Sequence, residues 1–169
     1  MAVVISLLAI CALTVIDQVI KLIVEADLKP VGEIPFIDGF LRWEYVENTG
    51  AAFGAFSENT NLLSIVTGVI IAVGIIAIIT KKINRKFTLL TAVIIISGGL
   101  GNLVDRLTRG YVVDYICTEF IEFPVFNFAD ILVTCGSFML IGYMLWDIYK
   151  DYKTKKIKGD YVGLTDFQC

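Results

Sequence analysis

The chain has 169 residues, of which 57% are hydrophobic and 18% charged, with a net charge of −3 and no histidine. An apolar share above the ~45–50% usual for soluble domains, with a mean hydropathy of +0.78, points to the bilayer as solvent. The missing histidine excludes Ser-His-Asp and Cys-His catalysis and weakens any zinc or haem reading, and nothing in the charge pattern resembles a basic nucleic-acid surface.

Four apolar runs approach the roughly 20 residues that a helix needs to cross the hydrocarbon core. They extend from Ala2 to Val24, Leu62 to Thr80, Phe87 to Val104 and Phe128 to Ile148. Backbone groups in lipid must be satisfied within the segment, so each run is expected to be a helix. The first lacks a basic start and a small-residue cleavage pattern, which favours an uncleaved span over a signal peptide. The second is almost wholly aliphatic and reads as a plain lipid-facing helix. The fold class is therefore an α-helical integral membrane protein, a four-helix bundle forming one membrane-embedded domain over 1–169.

Basic residues set the orientation. Lys81, Lys82, Arg85 and Lys86 lie in the short second link, and Lys150, Lys153, Lys155, Lys156 and Lys158 in the tail. The connections 25–61 and 105–127 hold only Lys29, Arg42, Arg106 and Arg109. Nine against four places both termini and the short link in the cytoplasm and the two longer connections outside. In the first of these, Asp38-Gly39 between β-prone runs predicts a hairpin. Its second run alternates Leu41, Trp43 and Tyr45 with Arg42, Glu44 and Val46, as suits a strand on the membrane with one wet face. Ser57 to Asn61 offers N-caps for the second helix. The tail 149–169 is polar and is expected to be cytoplasmic and, after Lys150, loosely ordered. Cys11 and Cys135 read as small buried hydrophobes, and Cys117 and Cys169 fall on opposite sides of the membrane, which argues against their pairing.

Ionisable groups within membrane segments are costly and are functional candidates. Asp17 and Lys21 share a helix face and can pair, which favours a structural role. Gly98, Gly101, Asn102 and Asp105 recur on one face of the third helix, where small residues permit close approach and polar ones face the bundle. No preceding strand supports a nucleotide-binding glycine loop. Arg106 can snorkel to the interface or hold a carboxylate or phosphate by two prongs. Asn127 and Asp130 open the fourth helix with capping-box spacing. Asp114 sits in the β-prone run from Tyr111 to Ile116. Asp114 and Asp130 would then lie together at the outer boundary, where two carboxylates can share acid and base roles. A small ion- or proton-coupled transporter also uses intramembrane carboxylates, but nearer the midplane and with inverted repeats. A non-catalytic assembly subunit would need neither aspartate.

Several blocks in order resemble the lipoprotein signal peptidase (signal peptidase II) family. They are Asp17-Gln18-x-x-Lys21, Glu47 to Gly54, the glycine block ending Gly101-Asn102-x-x-Asp105-Arg106, Val113-Asp114-Tyr115, and Phe126-Asn127-x-Ala129-Asp130. The resemblance implies a bacterial inner-membrane aspartic endopeptidase with a β-rich extracytoplasmic cradle and an active site toward that side. Its substrate would be a prolipoprotein whose signal peptide is cut off just before a diacylglyceryl-modified cysteine. The catalytic pair would be Asp114 and Asp130, supported by Asp17, Lys21, Asn48, Gly98, Asn102, Asp105, Arg106 and Asn127. No metal or other cofactor is implied. The expected partners are the lipidated substrate and membrane lipid, with no nucleic acid, and the protein is expected to act as a monomer. Asn48 alone reads equally well as an Asx-turn residue; the resemblance assigns it to substrate contact.

Overall fold

The computed structural model describes residues 1–50 and 60–165, with side chains up to 154. Four helices follow the apolar runs: α1 (Ala2–Asp27), α2 (Thr60–Ile79), α3 (Lys86–Thr108) and α4 (Phe128–Thr165). All four are long and apolar enough to span a membrane. Their outward side chains are largely apolar, as on Leu8, Ile65, Ile70, Phe138, Leu145 and Ile148, because the surrounding solvent is hydrocarbon.

Helix α3 occupies the middle of the bundle and packs against α1, α2 and α4. Its glycines make this possible. A Cβ at Gly98 would collide with the Ala129 carbonyl oxygen, and one at Gly101 would collide with the Asp17 carboxylate. Ile10, Ile71, Ile78, Val93, Ile96 and Leu103 form the apolar core between α1, α2 and α3.

Strands β1 (Glu33–Ile37), β2 (Leu41–Asn48) and β3 (Val112–Thr118) form one antiparallel sheet in the order β1-β2-β3. The hairpin turns at Asp38-Gly39, as expected, with Gly39 at φ +69°, a conformation open to glycine at little cost. Bulges at Pro35/Ile37 and Trp43/Val46 interrupt the register. Leu28 of the α1 terminus packs with Val113 and Tyr115, so the sheet is seated on the end of the bundle.

Three expectations need correction. Helix α3 does not end with its apolar run at Val104 but continues to Thr108, which keeps Asp105 on the helix face expected of it. Placed there, Asp105 reaches Arg109 one turn on, and the pair extends the helix beyond its apolar run. Helix α4 does not end at Ile148 but continues to Thr165. The tail is polar but rich in good helix formers and free of proline, and a preceding helix removes the nucleation cost. Cys11 and Cys135 are exposed rather than buried; Cys117 is the buried thiol, and all three are free. Cys169, Ala51 to Gly54 and the proposed caps Ser57 to Asn59 lie outside the described residues.

Candidate active site

The N-terminus of α4 is built as the sequence predicted. The Asn127 backbone N–H donates to Asp130 Oδ2 at 3.1 Å, and the Asp130 N–H donates to Asn127 Oδ1 at 3.0 Å. This reciprocal pair satisfies two helix-end donors and holds the Asp130 side chain back over the first turn. Because Asn127 Oδ1 is an acceptor there, its amide nitrogen must face the other way. It donates to Asp114 Oδ1 at 2.6 Å and to Asn102 Oδ1 at 3.1 Å. One fully buried asparagine therefore touches both carboxylates.

Asp114 is placed by β3, paired with Val46 of β2. Asn48, near the end of β2, donates to Asp114 Oδ2 at 2.8 Å while its own Oδ1 accepts the Gly50 N–H at 2.9 Å. The Asx turn, one of the two readings open for Asn48 on spacing, is present, and it aims the amide at Asp114. Burial, and then the neighbouring charge of Asp130, raise the Asp114 carboxyl from 3.8 to about 7 against the two amide donors that favour its ionised form.

Asp130 is held by Asn102, whose Nδ2 donates to Oδ1 at 2.7 Å. The polarity of that amide is set from below. Asn102 Oδ1 accepts from Lys21 Nζ at 2.8 Å, and an ammonium can only donate. Lys21 also bridges Asp17 at 3.0 Å and Asp105 at 2.7 Å, all three side chains being fully buried. Those two carboxylates reach the elements that carry the pair. Asp17 Oδ1 accepts the Ala129 N–H at 3.1 Å, at the head of α4. Asp105 Oδ2 accepts the Val113 N–H at 3.4 Å, next to Asp114 in β3.

The helix-one pair expected between Asp17 and Lys21 is thus present, and it belongs to a larger cluster that spacing did not reveal. Gln18 donates to Gly101 O at 3.1 Å and Asp105 Oδ1 at 3.0 Å. Arg109 bonds Asp105 at 2.6 Å and Glu25 at 3.4 Å. The Tyr115 hydroxyl accepts the Phe128 N–H at 3.1 Å. The four-residue step from Asp105 to Arg109 was the available signal for one of these links; the others join elements far apart in the chain.

Asn48, Asn102, Arg106, Asp114 and Asp130 line a cavity of about 490 Å³ whose other walls include Phe123 to Phe126, Ile131 and Cys135. Arg106 donates from Nη2 to Gly50 O at 3.2 Å, and among the described residues its Nε is buried without a hydrogen-bond partner. Gly98, Asp17, Lys21, Asp105 and Asn127 lie outside this lining. The cavity is polar at one end and apolar along α4, at the end of the bundle that carries the sheet.

Membrane-spanning helices, a small sheet capping one end and a cleft with two carboxylates are the features of an integral membrane enzyme. A solved bacterial membrane enzyme, determined in meso at 2.3 Å, superposes with a TM-score of 0.77 and 32% identity, over 85% of this chain and 88% of that one. The family model described as Signal peptidase (SPase) II matches residues 9–146. The lipoprotein signal peptidase of Clostridium acetobutylicum is 38% identical over 152 residues, 88% of this chain and 99% of that protein. The corresponding protein of Fusobacterium nucleatum is 39% identical over 132 residues, 76% of this chain and 79% of that protein. The chain belongs to the signal peptidase II family and is a membrane peptidase. Nothing in these comparisons supports a transporter.

Proposed function

We propose that the protein is an aspartic-type endopeptidase that removes the signal peptide from diacylglyceryl-modified prolipoproteins, cutting before the lipidated cysteine, with Asp114 and Asp130 as the catalytic residues. The observation that carries this reading is the shared asparagine. Asn127 bonds Asp114 directly and exchanges two bonds with Asp130, so both carboxylates face one cavity from fixed positions.

Two carboxylates so placed do not ionise independently, and they hold one proton between them near neutral pH. Asp114, raised to about 7, carries that proton. Asp130, in the first turn of α4, is the anion favoured by the helix dipole. A water between them loses a proton to Asp130 as its oxygen attacks the scissile carbonyl carbon. Asp114 gives its proton to the carbonyl oxygen, and the resulting gem-diol collapses as the leaving amine is protonated by Asp130. The carbonyl oxygen returns a proton to Asp114, which restores the starting state. Arg106 and Asn48 are positioned to hold substrate carbonyls beside the pair.

The basic link and tail support a reading with both termini in the cytoplasm of a bacterial inner membrane and the cleft toward the extracytoplasmic face. The protein acts there as a monomer on a substrate presented from the same leaflet. The test uses purified protein in detergent with a diacylglyceryl-modified prolipoprotein peptide. Cleavage should fall to background in both Asp114→Asn and Asp130→Asn while the melting temperature stays within a few degrees. Retained cleavage in both variants would end the proposal.

A further inference from the structure

A second cleft, of about 290 Å³, lies under the sheet. Strand alternation puts Leu41 and Trp43 of β2 on one face, and Ile116 of β3, the partner of Trp43, joins them. Phe36 of β1 sets its ring 5.2 Å from that of Trp43. Phe126 and Ile131 complete the wall, and the same two residues line the catalytic cavity. The two clefts therefore meet at a common partition.

Their chemistry differs. The catalytic cavity carries amides, a guanidinium and two carboxylates, whereas among the described residues Arg42 is the one charged residue along the side cleft. Arg42 is already answered by Glu44 at 2.6 Å and Glu119 at 3.3 Å, so among the described residues the side cleft offers no free charge to an anionic headgroup. Around it, Ile34, Phe36, Ile37 and Phe40 are 41–59% exposed, an apolar rim suited to the acyl layer and costly in water.

We propose that this side cleft seats one acyl chain of the diacylglyceryl group on the substrate cysteine. The inference rests on the peptidase reading above. In that reading the modified cysteine directly follows the scissile bond, so its glycerol leaves the catalytic cavity within a few atoms of the pair. The partition formed by Phe126 and Ile131 is where a chain from that glycerol crosses into the hydrocarbon-lined space. Continuity with the cavity favours the substrate's own chain over a bulk lipid, and the neutral lining favours a chain over a headgroup.

The test compares one peptide carrying either a palmitoyl or a butyryl diacylglyceryl cysteine, with the enzyme in nanodiscs. Leu41→Trp fills the side cleft and Phe36→Asp makes its wall polar; neither residue lines the catalytic cavity. The ratio of kcat/KM for the palmitoyl over the butyryl substrate should fall about tenfold in both variants, with the loss in KM; tenfold corresponds to about 1.4 kcal/mol. The ratio does not depend on how much of each preparation is folded. An unchanged ratio in both variants overturns the proposal and assigns the cleft to bulk lipid or to sheet packing. Wild-type protein that cuts neither peptide would instead overturn the peptidase reading, and the acyl subsite with it.

Discussion

Replacing Lys21 by methionine removes an ammonium but keeps most of the side-chain volume, so it isolates the charge. In the native structure that ammonium answers two fully buried carboxylates and fixes the Asn102 amide. Asp105 keeps Arg109 at 2.6 Å and Gln18 at 3.0 Å, so its charge stays paired. Among the described residues Asp17 keeps only Gln18 at 3.2 Å and the Ala129 N–H at 3.1 Å, both neutral donors. The cost is therefore that of orphaning one buried charge, about 3–5 kcal/mol. At ~2–4 °C per kcal/mol for a protein of this size, the melting temperature should drop by roughly 6–20 °C. Reactivity of the buried Cys117 thiol on heating, in a background where the other cysteines are serine, reads the transition. Adding Asp17→Asn removes the orphaned charge, so the double variant should recover more than half of the loss. A single variant as stable as wild type, or a double variant worse than the single, would refute the reasoning.

Other outcomes follow from the same contacts. Gly101→Ala places a methyl against the Asp17 carboxylate, so α1 and α3 must separate; thermal unfolding should show a loss of about 1–3 kcal/mol, the usual cost of overpacking. Asn48→Ala deletes a donor to Asp114 that favours the ionised carboxyl. Turnover should fall at least tenfold, and the alkaline limb of the pH–rate curve should move to higher pH, because Asp114 then holds its proton longer. Lys29→Ala breaks a solvent-exposed pair with Glu47 at 2.9 Å and should leave the midpoint of chemical denaturation unchanged, because exposed pairs contribute little.

The spans and the hairpin could be read from sequence because their causes are local. Apolar length gives a helix in lipid, Asp38-Gly39 gives a turn, and Asn127-x-x-Asp130 gives a cap. Asp114 and Asp130 stand out by charge in an apolar context and by ordered blocks, whereas spacing alone gave Asn127 only a cap, and the resemblance added a supporting role without its geometry. Asn127 holds its second role through a side-chain nitrogen whose direction depends on Asp130 occupying its oxygen. The pairing of β2 with β3 joins strands separated by two helices, and no local period encodes that. Lys21 pairs with Asp17 through spacing, but its bond to Asp105 and its hold on Asn102 depend on how α1 lies on α3. The extent of α4 was underestimated because hydropathy marks where lipid ends rather than where a helix ends.

The central claim, a carboxylate pair working with one proton, is tested most directly by the pH dependence of kcat/KM on the lipidated peptide. Asp114, raised from 3.8 to about 7, is protonated below that point and charged above it. Its contribution to stability is likewise present at low pH and lost as pH rises through about 7. The account predicts a bell-shaped curve whose alkaline limb falls tenfold per pH unit above about 7. A rate that keeps climbing well into the alkaline range would mean that the enzyme works with both aspartates ionised, and would contradict it.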